Sequence, residues 1–104
     1  MVGIDIVNLS EFKKSFKNIS LDKVFLSIEL SQNLKTENLA GIFAGKEAFF
    51  KALGRKDNWL DVWIEKDSSG KPSLSSTLLK TNQRTQISIS HAGDYAIAIV
   101  LLGQ

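Results

Sequence analysis

Asp5 interrupts an otherwise apolar run, Val2-Gly3-Ile4-Asp5-Ile6-Val7. An unpaired carboxylate is costly to bury, so Asp5 requires water, a donor network, a lysine partner or a bound cation. Glu47 and Lys51 lie four residues apart in a second apolar stretch, Asn38 to Leu53. On a helix that spacing gives either a surface ion pair, contributing about 0.2–0.5 kcal/mol, or two members of a site. Two carboxylates are enough for a hard octahedral cation. Mg²⁺ is held by one or two protein carboxylates, and water and substrate phosphates complete its shell. Asp5 and Glu47 together therefore suit a Mg²⁺ site whose other ligands come from a phosphorylated substrate.

Two further segments carry functional groups. Asp67-Ser68-Ser69-Gly70-Lys71-Pro72 has the composition of a tight turn. Gly70 would also let a ligand approach the backbone, and Lys71 would meet a phosphate as a point charge. His91, the single histidine, ends the run Ile87-Ser88-Ile89-Ser90 where the chain turns. An imidazole there serves either as a structural cap or as a group that binds or orients a phosphate.

The elements that must position these residues follow from periodicity. Val2 to Val7 alternates as a strand, with Gly3, Asp5 and Val7 on one face. A short helix is predicted from an N-cap at Ser10 through Phe16, with Phe12 and Phe16 stacked at i, i+4. A second is predicted from Asp22 to Ile28, and 31–37 reads as polar loop. Asn38 to Leu53 is the strongest helix, capped by Asn38 and stopped by Gly54. Its apolar residues run nearly all round it, which marks a buried helix and makes Lys46, Glu47 and Lys51 conspicuous. Arg55 to Asn58 is a charged loop. Strands are expected at 60–65, 73–79, 86–90 and 95–102, the last two forming a hairpin. The order predicts an α+β fold, with one long buried helix and short helices packed on a mostly antiparallel sheet.

The 104 residues suit one domain, 1–104, and 43% hydrophobic content supports a real core. A net charge of +2 with mixed signs is too weak for a nucleic-acid binder, and Trp59 and Trp63 lie in no basic stripe. The absence of cysteine excludes disulfides and thiolate metal sites. No apolar run is long enough to span a membrane, and the chain opens on a strand-like run, so a soluble cytoplasmic protein is expected.

Four runs occur in one order. They are Gly3-Ile4-Asp5-Ile6-Val7; Phe43-Ala44-Gly45-Lys46-Glu47-Ala48-Phe49-Phe50-Lys51-Ala52-Leu53-Gly54; Gly70-Lys71-Pro72; and Ile87-Ser88-Ile89-Ser90-His91 followed by Tyr95-Ala96-Ile97-Ala98. In that order they resemble the holo-acyl-carrier-protein synthase family, the small type of 4′-phosphopantetheinyl transferase, over almost the whole chain. The resemblance implies that fold, and transfer of phosphopantetheine from coenzyme A to a serine of an acyl carrier protein, with adenosine 3′,5′-bisphosphate as the other product. It implies Mg²⁺ on Asp5 and Glu47, with Asp5, Glu47 and Lys51 catalytic. It places Lys46, Lys51, Gly54, Gly70, Lys71, Pro72, Ser90 and His91 along coenzyme A. It also implies a homotrimer with sites at subunit interfaces.

The sequence departs from the family pattern at named positions. Glu11 stands where a carrier-docking arginine is usual, although Lys13, Lys14 and Lys17 lie nearby. Ile42 replaces an arginine at the start of the helix motif, and Ser27-Ile28-Glu29-Leu30 lacks another. Arg55-Lys56-Asp57-Asn58-Trp59 replaces a loop that usually contains Thr-Gly.

Overall fold

A computed structural model describes residues 1–32 and 35–103. The chain runs β1 (Val2–Asn8), α1 (Leu9–Ser15), a 3-10 turn (Leu21–Lys23), α2 (Ser27–Leu30) and α3 (Thr36–Leu53). A second 3-10 turn (Trp59–Asp61) leads into β2 (Val62–Lys66), β3 (Pro72–Ser76), β4 (Arg84–Ala92) and β5 (Tyr95–Gly103). The fold is α+β, as the sequence predicts.

All strand pairs are antiparallel, but they form two sheets, β1-β5-β4 and the hairpin β2-β3. Where β3 passes β4, the Thr85 hydroxyl donates to the Leu74 carbonyl at 3.0 Å.

β5 shows why α3 lies where it does. Ala96, Ala98, Val100 and Leu102 point inward and are buried, while Tyr95, Ile97, Ile99 and Leu101 point outward and are exposed. The small inward residues let the helix sit close, and Ala44 and Ala48 of α3 are themselves buried. β1 approaches more tightly still. A Cβ on Gly3 would lie 1.8 Å from the Ala48 carbonyl oxygen, so only glycine allows this contact. Asp5 is two residues farther along the same face of β1.

Element ends differ from the expected ones for local reasons. The side chain of Asn8, not Ser10, caps α1, accepting from the Glu11 N–H at 3.0 Å. α3 begins at Thr36, and Asn38 reaches back from inside the first turn to accept from the Lys35 N–H. Part of the expected 31–37 loop is therefore helical, and positions 33 and 34 lie outside the described residues. The helix expected at 22–28 is broken by extended backbone at Leu26, where the Glu29 carboxylate accepts from the Leu26 N–H and opens α2. A 3-10 turn takes up the start of the expected 60–65 strand, and β3 ends at Ser76. β4 runs on through His91 to Ala92, which leaves only Gly93 and Asp94 in the turn.

An aromatic cluster joins α1 to α3. Phe12 lies 4.9 Å from Phe16 and 5.6 Å from Phe43 between ring centroids, and Trp59 stacks on Phe43 at 5.0 Å. Such pairs contribute about 0.5–1.5 kcal/mol each beyond their burial.

Candidate active site

Asp5 and Glu47 converge. β1 turns Asp5 toward α3, and both carboxylates line one cleft of ≈ 360 Å³, together with Asn8, Glu11, Phe12 and Phe43. Burial pushes the Asp5 carboxyl above the usual aspartate range, and Lys51 pulls it part of the way back. The neighbouring Glu47 charge adds to the rise.

The lysines are shared out differently from the i, i+4 expectation. Lys51 Nζ donates to Asp5 Oδ1 at 3.0 Å and to the Ile4 carbonyl at 3.0 Å, rather than pairing with Glu47. Glu47 Oε1 instead accepts from Lys56 Nζ at 3.1 Å. Each carboxylate thus carries its own lysine. Sequence reasoning missed Lys56, because the contact depends on how the chain folds back after Gly54. Its only sequence signal was a lysine just beyond a helix-ending glycine.

The donor set suits a hard cation. Two largely buried carboxylates line one cleft, and among the described residues there is no cluster of three or more His, Cys, Asp or Glu side chains that could hold a metal. That chemistry fits Mg²⁺, which needs few protein oxygens.

Gly54 lies beside this pair. It ends α3 with φ +85° and borders a second cleft with Glu47, Phe50, Lys51, Arg55 and Lys56. The other expected site residues do not reach the Asp5 cleft within one chain. His91 lies against the start of α3, its Nε2 2.9 Å from the Glu37 carbonyl oxygen, and lines a small cavity with Leu9, Gly93 and Tyr95. Ser90 faces the opposite side of the sheet, in a groove with Ile4, Ile97 and Ile99. Gly70, Lys71 and Pro72 form the tip of the β2-β3 hairpin. There Gly70 has φ +86°, and Asp67 Oδ1 accepts from the Ser69 and Lys71 N–H groups. The Ser69 hydroxyl, which also donates to Asp67, is the main cause of that carboxyl's lowered pKa.

Lys46, which the family resemblance places along coenzyme A, is fully buried in this chain. Its Nζ lies 2.6 Å from Glu29 Oε1, 2.6 Å from the Val24 carbonyl oxygen and 3.2 Å from that of Trp59. Glu29, equally buried, also accepts from the Leu26 and Ile64 N–H groups. Burial lowers the Lys46 pKa, and the bond to Glu29 opposes that shift. Lys46 therefore ties α3 to α2 and to the segment before β2. Helical position alone did not reveal this, because Glu29 is distant in sequence.

Comparison with known proteins shows the family. Residues 1–100 match the model of the 4′-phosphopantetheinyl transferase superfamily. The holo-[acyl-carrier-protein] synthase of Nautilia profundicola is 40% identical over 98% of this chain and 98% of its own length. That of Bacillus subtilis is 37% identical over 97% of this chain and 93% of its own. The Helicobacter pylori holo-[acyl-carrier-protein] synthase, solved in complex with coenzyme A, superposes with a TM-score of 0.90 at 31% identity, covering 99% of this chain and 100% of that one.

Proposed function

Because the chain belongs to the 4′-phosphopantetheinyl transferase superfamily, we propose that it moves the 4′-phosphopantetheine arm of coenzyme A onto a serine hydroxyl of an acyl carrier protein. In this reading Asp5 and Glu47 hold Mg²⁺, and adenosine 3′,5′-bisphosphate is released. The observation that carries the reading is the convergence of Asp5 and Glu47 on one cleft, with Lys51 bonded to Asp5.

Bound Mg²⁺ would neutralise the charge that builds up on the diphosphate as its bond to the leaving group breaks. The remaining work falls to the protein. Lys51 is mobile enough, with its side chain half exposed, to trade Asp5 for a phosphate oxygen. Glu47, or a water it orients, takes the proton of the attacking serine. Most of the rate gain comes from positioning and fixed charge, as in other phosphoryl transfers.

A homotrimer completes the reading. Val2, Ile4, Ile6, Ile97, Ile99 and Leu101 are all exposed on one sheet face. A contiguous apolar face of this kind marks an interface. Ser90 opens onto that face. A neighbouring copy seated there would bring its Ser90, its His91 and its Gly70-Lys71-Pro72 tip toward the Asp5 cleft of this one. The acidic carrier would dock beside the exposed Lys13, Lys14 and Lys17, which offset Glu11.

The test is transfer from labelled coenzyme A to apo-carrier proteins, with Mg²⁺ and with a chelator. Label appears on the carrier only with the metal. Failure to label any carrier from the same cell would overturn the proposal.

A further inference from the structure

The loop after α3 holds a cation that the chemistry above leaves unused. Gly54 turns the chain back at the end of α3, and the Arg55 N–H donates to the Phe50 carbonyl at 3.2 Å. The far end of the loop is fixed at Trp59. That ring stacks on Phe43 and meets Phe50 edge-on at 5.4 Å, and its backbone carbonyl accepts from the buried Lys46. Between these anchors, Arg55 turns aside to Asp57 at 3.4 Å. Lys56 lies over the Trp59 ring, 4.8 Å from its centroid, and ends on Glu47 Oε1.

Glu47 forms a wall between two clefts of opposite character. One contains Asp5 and Glu11, and the other contains Lys51, Arg55 and Lys56. A divalent cation held by Asp5 and Glu47 would repel an ammonium bonded to the same carboxylate. The Lys56 ammonium itself sits over the Trp59 ring and on Glu47, and its side chain is largely solvent-exposed, so both contacts are weak and the head can leave Glu47 without disturbing the loop. The nearest anion able to receive it is the phosphate that the metal brings to Glu47. Ile42 is fully buried and offers no cation, so within this chain the cations beside Glu47 are Lys51 and those of this loop.

We propose that Lys56 is a further substrate-binding residue, bonded to Glu47 in the absence of metal and transferred to a diphosphate oxygen of coenzyme A when a divalent cation takes Glu47. This rests on the transferase reading above and adds a residue to it. Lys51 and Lys56 then act as a pair, each leaving one carboxylate for the same diphosphate.

The test compares wild type, Lys56→Gln and Lys56→Arg in two titrations. Calorimetry measures coenzyme A binding in Mg²⁺, and electron paramagnetic resonance measures Mn²⁺ binding without coenzyme A. Lys56→Gln should bind coenzyme A roughly tenfold more weakly, the loss of one charge-assisted hydrogen bond. It should bind Mn²⁺ at least as tightly as wild type, because a competing cation is gone. Lys56→Arg should recover most of the coenzyme A affinity. Unchanged coenzyme A binding by Lys56→Gln would overturn the proposal. So would a parallel loss of Mn²⁺ and coenzyme A affinity, since Lys56 would then merely support Glu47. In both cases a wild type that still transfers phosphopantetheine leaves the transferase reading standing. A wild type that binds no coenzyme A overturns both.

Discussion

Replacing Lys46 with methionine should destabilise the fold severely without touching the substrate site. The change removes an ammonium that donates to Glu29, Val24 and Trp59, and it leaves a fully buried Glu29 carboxylate with only two backbone N–H donors. Removing one partner of a buried ion pair costs about 3–5 kcal/mol, because the other charge stays behind uncompensated. Domains of this size have total stabilities of about 5–15 kcal/mol, so the loss is a large fraction. With an unfolding entropy of about 2.1 cal/mol/K per residue, a chain of 104 residues should lose roughly 14–23 °C in Tm. Adding Glu29→Gln removes the stranded charge and keeps an acceptor for one of the two N–H groups. The double variant should regain about 2 kcal/mol over Lys46→Met. Urea unfolding followed by circular dichroism reads both steps, and calorimetry reads coenzyme A binding. A cost below about 1 kcal/mol for Lys46→Met would refute the structural role of this ion pair. A double variant that recovers its stability but loses coenzyme A binding would refute it too, and would make Lys46 a ligand contact.

Gly3→Ala should cost about 1–3 kcal/mol by chemical denaturation, because the new Cβ would meet the Ala48 carbonyl oxygen at 1.8 Å and force α3 off β1. The same shift separates Asp5 from Lys51, so transfer should fall by more than the stability loss explains; unaltered turnover would show that this spacing is not critical. Asp5→Asn should be more stable than wild type at neutral pH. The Asp5 pKa is raised above 3.8 in the fold, so charging it costs stability as pH climbs from 3.8 through the raised value. The Tm advantage of the variant should therefore grow between pH 3 and pH 7, and a shrinking advantage would contradict the assigned shift. Ile99→Glu, placed on the exposed apolar sheet face, should convert trimer to monomer by light scattering and abolish transfer together; a fully active monomer would refute the shared-site reading.

Much of the site was readable from pattern. Period-2 alternation placed Asp5 on the same strand face as Gly3, and helical apolarity marked 38–53 as the buried helix that this face must meet. The pairing of charges was not readable. The i, i+4 spacing of Glu47 and Lys51 suggested a local pair, but each found a partner on another segment, Lys56 and Asp5 respectively. The partner of Lys46 was equally hidden. A lysine next to Glu47 reads as a site residue, and only the meeting of α2 with α3 pairs it with Glu29 inside the core. The split of the sheet also depends on tertiary contact, since the β2-β3 hairpin meets β4 through the Thr85 hydroxyl. His91 and the Gly70 tip were identified as local features, but their distance from Asp5 within one chain follows from topology.

Asp5 and Glu47 act as one metal-dependent pair in the proposed transfer. The most direct test is the intact mass of an apo-acyl carrier protein after incubation with coenzyme A, Mg²⁺ and either wild type, Asp5→Ala or Glu47→Ala, each confirmed folded by circular dichroism. Wild type should add the mass of one phosphopantetheine to the carrier, and chelation of the metal should prevent it. Both variants should leave the carrier unmodified. Near-normal modification by either folded variant would contradict the pairing on which the proposed site is built.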